Sequence, residues 1–385
     1  MITDAAGNVQ TVSTTVNPDG TYSVDAVTPL ADGDYTAKAT VSDVAGNRAE
    51  ATDPGTVDTT APTTTVDAPD NTNDTTPTIS GQTNDVEAGQ VVTIVVTDKD
   101  GNAQTTSTTV NPDGSYSVDV PAAVADGGYS VSVSVTDKAG NTATANGQGS
   151  IDSKVTITVV APDLTNDNTP TITGTTDAEA GQVVTVVITD AAGNVQTVST
   201  TVNPDGTYSV DAVTPLADGD YTAKATVSDV AGNSAEATDP GTVDTTATIS
   251  VTVPSGTDTT PTISGQTNDV EAGQVVTIVV TDKDGNAQTI STTVNPDGSY
   301  SVDVPTAVAD GGYSVSVSVT DKAGNTATAN GQGSIDSKVT ITVVAPDLTN
   351  DNTPTITGTT DAEAGQVVTV VITDAAGNVQ TVSPP

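Results

Sequence analysis

The side chains with the means to bind a ligand are carboxylates, and they recur in short turn-forming phrases: Glu87-Ala88-Gly89-Gln90, Asp98-Lys99-Asp100-Gly101-Asn102, Asp137-Lys138-Ala139-Gly140-Asn141 and Asp229-Val230-Ala231-Gly232-Asn233. The chain has 49 Asp and Glu against 9 Lys and Arg, and neither His nor Cys. Zinc prefers the missing imidazole and thiolate ligands, and Mg²⁺ demands a strict octahedron, whereas Ca²⁺ accepts six to eight oxygens in flexible geometry. Calcium is therefore the expected cofactor. Catalysis would have to rest on carboxylate pairs alone, without His, Cys or a phosphate-cradling glycine loop. Because every acidic phrase is copied from unit to unit, no single specialised active site stands out, and the chain is read as not an enzyme.

The elements that must position these acids are set out by self-similarity. Residues 76–199 recur at 260–383, a shift of 184, with only Thr106/Ile290 and Ala122/Thr306 differing. Residues 2–58 recur at 188–244, differing only at Arg48/Ser234. This long repeat is a pair of alternating units, type 1 and type 2. The expected division is 58–151 and 244–335 (type 1), 152–243 (type 2), the C-terminal half of a type 2 unit at 1–57 and the N-terminal half of another at 336–385.

Within 58–151, turn residues separate seven strand candidates, lettered A to G: Thr63–Ala68, Thr76–Thr83, Gln90–Asp98, Ala103–Val110, Ser115–Val120, Gly128–Asp137 and Thr142–Ile151. Strand F alternates strictly (Tyr129-Ser-Val-Ser-Val-Ser-Val135), as a strand with one face in a core must. That order separates the chain from disorder, which an acidic, aromatic-poor composition would otherwise suggest. Seven short strands in a unit of this length predict an all-β fold, a tandem of seven-stranded immunoglobulin-like β-sandwiches in an elongated array. The phrase Leu-Ala-Asp-Gly-Asp-Tyr resembles a tyrosine corner, which makes Tyr35, Tyr129, Tyr221 and Tyr313 structural, while Tyr22, Tyr116, Tyr208 and Tyr300 are expected to cover the core.

In such a topology the B–C and F–G loops lie at the pole where the chain arrives, here the proximal pole, and the C–D and E–F loops at the distal pole. Acidic loops of consecutive units then meet at each linker. The expected sets are Asp58, Asp85, Glu87 and Asp137; then Asp152, Asp177, Glu179 and Asp229; then Asp244, Asp269, Glu271 and Asp321. Asp98 and Asp100 are expected to join the second set from the distal pole of the preceding unit, and Asp190, the type 2 counterpart of Asp98, is a further candidate ligand. The last set, Asp336, Asp361 and Glu363, lacks its F–G loop. The plainer alternative is that these residues only form turns and a solvated acidic surface.

A formal net charge of -40 disfavours nucleic acid and anionic membranes as partners, since both require a basic face. No stretch approaches the roughly 20 apolar residues of a membrane span, and no signal segment opens the chain. Met1 stands where Val187 stands in the matching unit, inside a strand, so the missing signal says little about a parent protein. Thr-x-Thr patterns such as Thr171-Ile172-Thr173 raise ice binding, but threonine on strand faces is ordinary β chemistry. Recognition of a glycan or protein by a sandwich face is the other alternative, and it would need an exposed aromatic platform.

Val-Asp-Thr-Thr-Ala-Pro (57–62), Asn-Asp-x-Thr-Pro (73–77, 166–170, 350–354), Glu-Ala-Gly-Gln, Asn-Pro-Asp-Gly-x-Tyr-Ser-Val and Asp-x-Ala-Gly-Asn, in this order, resemble the bacterial immunoglobulin-like repeats of giant biofilm-associated and repeats-in-toxin adhesins. The resemblance covers essentially the whole chain. It implies an extracellular or cell-surface extender, with neighbouring repeats and calcium ions as partners, that projects adhesive domains whose own ligands lie on cells or matrix. The sequence departs from the pattern at Asp244-Thr245-Thr246-Ala247-Thr248 and Ser255-Gly256-Thr257-Asp258, which predicts a third junction that is looser or differently liganded. The two terminal halves together carry strands A to G, so pairing between chains is conceivable; the simpler expectation is that they mark where a fragment was cut.

Overall fold

The computed structural model describes residues 1–383, and every regular element in them is a β-strand. In the 58–151 repeat the strands are A (Thr63–Thr64), B (Thr78–Asn84), C (Val91–Thr97), D (Ala103–Thr109), E (Ser115–Asp119), F (Gly127–Thr136) and G (Thr142–Ile151). They form two sheets, A-B-E and G-F-C-D, joined by antiparallel ladders. The 244–335 repeat repeats this arrangement from Thr248 to Ile335. In the 152–243 repeat strand A is reduced to the bridges Ile157↔Thr176 and Val160↔Thr173.

Alternation produces the sandwich. Strand C buries Val92, Ile94 and Val96 and turns Val91, Thr93, Val95 and Thr97 outward, while strand F buries Val131, Val133 and Val135. Ile79 of strand B and Tyr116 of strand E close the core from the opposite sheet. The B-E pair of the second repeat does the same with Ile172 and Tyr208. Pro240 sits in strand G, at the edge of its sheet, where a missing N–H costs no ladder bond.

Two sequence expectations change. Strand A does not run through Ala68. After Thr64 it keeps one bridge to strand B, Asp67↔Ser80, then crosses so that Thr72 pairs in parallel with Ile151 of strand G. The tyrosine at the head of strand F is structural, but it does not bond within its own corner. The Tyr129 hydroxyl donates to the carbonyl of Pro69, 2.8 Å away, where strand A changes sheets, and Tyr221 and Tyr313 donate to Pro162 and Pro254 in the same way. The strand E tyrosines pin the other half of that segment: Tyr116, Tyr208 and Tyr300 donate to the carbonyls of Thr65, Thr158 and Ser250. Burial pushes the phenols of Tyr129, Tyr208, Tyr221 and Tyr300 up to about 12.

The two end segments carry partial sandwiches. Residues 1–57 form one sheet of Val9–Gln10, Ile2–Thr3, Gly33–Ser42 and Arg48–Val57, and residues 11–32 contain no strand. Residues 336–383 keep the hairpin Val370–Thr373/Val379–Val382 and the bridges Ile341↔Thr360 and Val344↔Thr357.

Candidate metal centres at the repeat junctions

The first three linkers are held from both sides, and the last, at Asp336, from the preceding repeat alone. On the distal pole of the preceding repeat, the E–F loop acid accepts from the linker. Ser153 donates its N–H (3.2 Å) and Oγ (2.5 Å) to Asp126, Thr245 its N–H (3.2 Å) and Oγ1 (2.8 Å) to Asp218, and Ser337 its N–H (2.9 Å) and Oγ (2.6 Å) to Asp310. Asp32 binds Thr59 and Thr60 likewise. On the proximal pole of the following repeat, the F–G turn reaches back: Asn141, Asn233 and Asn325 donate Nδ2–H to the backbone carbonyls of Asp58, Asp152 and Asp244 at 3.1, 2.8 and 2.7 Å.

The F–G turn is built by its own acid. Asp137 Oδ1 accepts from the N–H groups of Gly140 and Asn141, both at 2.8 Å, and Oδ2 from the Asn141 side chain at 2.9 Å. Burial opposes charge on Asp137, but these bonds outweigh it and hold the carboxyl below its ordinary range. Asp229 and Asp321 make the same turn. The B–C loop is tied to it by glutamate: Glu87, Glu179 and Glu271 accept from the N–H groups of Lys138, Val230 and Lys322 at 3.1, 3.0 and 3.0 Å. Asp177 accepts from the Thr156 N–H and Asp269 from the Thr246 hydroxyl, each at 2.6 Å. Asp85 and Asp269 adopt left-handed backbone (φ 62° and 61°), which Asp tolerates better than most residues.

The linker acid itself is electrostatically unsatisfied. Burial, followed by repulsion from Asp229, Glu179 and Asp126, pushes Asp152 above the ordinary carboxyl range. Asp244 is raised by burial and by Asp321, Asp269 and Asp218. Asp152, Glu179 and Asp229 thus lie within electrostatic reach of one another at one pole, as do Asp244, Asp269 and Asp321.

Asp98, Asp100 and Asp190 make no hydrogen bond to the linker, although their C–D turns lie beside the E–F loops that hold it. Asp98 closes its own C–D turn, accepting from the N–H groups of Asp100 and Asn102 and from the Asn102 side chain. Asp100 pairs with Lys99 at 2.8 Å. Asp190 is buried with its oxygens engaged by Ala192, Asn194 and Ala217. The distal-pole acid that accepts from the linker is Asp126 and its counterparts, which the sequence offered only inside the phrase leading to the strand F tyrosine. Its recurrence at a fixed position, 27 residues before the linker hydroxyl in every repeat, was the available signal. At the last junction Asp361 accepts from the Thr340 N–H, and Asp336 and Glu363 are exposed.

The donor chemistry fits a hard divalent cation: carboxylates that repel one another, backbone carbonyls, and no nitrogen or sulfur ligand. As placed, no group of three or more acidic side chains among the described residues lies close enough to hold an ion. The phenol rings offer no platform in the three repeats, where Tyr116, Tyr129, Tyr208, Tyr221, Tyr300 and Tyr313 are all buried.

The model of the bacterial Ig-like domain matches residues 1–59, 60–153, 158–245 and 255–337. The chain belongs to this family. Among solved structures, a tetra-tandem repeat from the extending region of a large adhesion protein is 35% identical over 88% of this chain and 91% of its own, with a TM-score of 0.39. A Ca²⁺-stabilised adhesin that helps an Antarctic bacterium reach out and bind ice is 31% identical over 84% of this chain and 86% of its own (TM-score 0.33). A third, from a 1.5-MDa bacterial ice-binding adhesin and concerned with retention at the host cell surface, is 26% identical over 72% of this chain and all of its own (TM-score 0.36). No curated protein matches the chain. No helix among the described residues is long and apolar enough to cross a membrane.

Proposed function

We propose that this family member is an extender segment of a bacterial cell-surface adhesin, whose repeats set reach and whose junctions are stiffened by calcium. The observation that carries the reading is the linker acid. Asp152 is fixed between Asp126–Ser153 on one side and Asn233 on the other, while its own charge is disfavoured by burial and then by the acids around it. A divalent cation there would offset that repulsion and could be held by Asp152, Asp126, Glu179 and Asp229, with Asp244, Asp218, Glu271 and Asp321 as the next set. The sequence identity to an adhesin extending region and to a Ca²⁺-stabilised adhesin supports the same reading. Extracellular millimolar calcium would saturate even weak sites of this kind.

Small-angle X-ray scattering of the chain in calcium and in chelator, with calcium titrated by calorimetry, tests this. The maximum dimension is expected to be larger and the profile more rod-like with calcium. An unchanged profile together with no heat of binding would remove calcium from the reading and leave an extender without it.

A further inference from the structure

We infer that the outer faces of the two G-F-C-D sheets in the type 1 repeats are contact surfaces for a second copy of this chain, one neutral face laid on another. The register fixes what these faces display. In the 58–151 repeat the outward positions are the odd residues of 91–97 and 103–109 and the even residues of 130–136 and 142–148. None is charged. The central row reads Asn146–Ser132–Val95–Thr105, and the 244–335 repeat reproduces it as Asn330–Ser316–Val279–Thr289. The type 2 repeat differs at the same place: Lys224 and Glu236 face outward there and pair at 2.6 Å. The opposite sheet of the type 1 repeat carries acids, with Asp119 against Thr78 and Asp67 against Ser80.

Charge selects the partner. On a chain of net charge -40, approach of a second copy through any acidic surface is repelled, and a face without charge is where the repulsion is least. The face carries short side chains, with a shallow hollow lined by Val95, Ser132 and Asn146 and an apolar component in Val91, which is 55% exposed. Small residues allow two sheets to approach to roughly 10 Å. Four strands about 4.8 Å apart and seven residues long cover on the order of 450 Å² per face. One pair of faces therefore buries about 900 Å², below the ~1,600 Å² of a stable complex, and two pairs together bury about 1,800 Å². The association is weak through one repeat and gains through two. It is independent of the junction cations.

Sedimentation velocity of the full chain in chelator, from micromolar to about 1 mM and at low and high salt, is the test. Mass that rises with concentration, and rises further as salt screens the acids, is expected. Ser132→Glu with Ser316→Glu should abolish the rise, Ser132→Asn with Ser316→Asn should retain it, and Thr238→Glu, on the type 2 face, should leave it unchanged. A concentration-independent monomer in high salt overturns the inference. So does association that survives the double glutamate variant, which would assign it to the partial end sandwiches, where Val27, Val44 and Leu348 are exposed, or association that all three variants remove.

Discussion

Two residue types do more in this chain than their frequency suggests. Tyrosine supplies the largest core side chain and a hydroxyl that reaches across to strand A; glycine supplies the room for it. A Cβ at Gly174 would fall on the carbonyl of Thr158 and the ring of Tyr208, and Gly81 and Gly265 stand in the same relation to Tyr116 and Tyr300. Replacing Gly174 by Ala is therefore expected to cost on the order of 3 kcal/mol through overpacking. Tyr208→Phe should cost about 1 kcal/mol for the hydrogen bond alone. Amide exchange of Val184–Ile188 reports both. The phenols provide a second check. Their folded values lie above the unfolded 10, so stability is intact below pH 10 and falls as pH rises towards 12, because the unfolded chain ionises first. Absorbance titration should show Tyr129, Tyr208, Tyr221 and Tyr300 ionising near pH 12 or on unfolding, whichever comes first. The tyrosines were legible as structural from their place in strands E and F. Their acceptors were not, because Pro69 and Thr65 lie 60 and 51 residues away and no local pattern links them.

At the scale of strands and loops, the sequence was legible wherever alternation reports burial. Strands B to G fall within two residues of their expected limits. Strand A was overextended because its residues keep an extended pattern while changing sheets, and a pattern of period two does not record which neighbour a strand bonds to. The loops were harder. Asp98, Asp126, Asp137 and Asp190 all look like turn formers, and only the fold tells which faces a linker. The contrast is testable. Asp126→Ala removes the acceptor of Ser153 and should broaden the distance distribution between spin labels at Ser107 and Ser199, on either side of that junction. Asp98→Ala should leave that distribution unchanged while loosening the C–D turn, because its bonds are confined to residues 98–102.

For the whole molecule, acidity and metal act on the same groups. Asp152 and Asp244 are raised, by burial first and then by the acids around them, so on acidification they protonate before the aspartates that hydrogen bonds lower. Their folded values are raised, hence their ionisation weakens the junction and protonation relieves it. Asp190, Asp205, Asp297 and Asp310 are lowered by their hydrogen bonds; the stability they contribute is present above 3.8 and is lost as pH falls below it. Calcium binding is expected to weaken on acidification before the sandwiches unfold, since protonating Asp152 and Asp244 relieves the junction while the lowered aspartates still hold their turns. Calorimetric titration and far-ultraviolet circular dichroism during acidification separate the two steps. The alternation of the two repeat types has a further consequence during synthesis. Identical strands in adjacent repeats could exchange partners and trap a chain in a swapped state, a common failure of tandem arrays. Here the nearest identical copy of a strand lies 184 or 186 residues away, beyond a complete intervening sandwich, so each repeat can close on itself before its double emerges; strand E, Ser115–Asp119 against Thr207–Asp211, is nearly the same in adjacent repeats. Alternation acts as proofreading for folding, written into the order of the units.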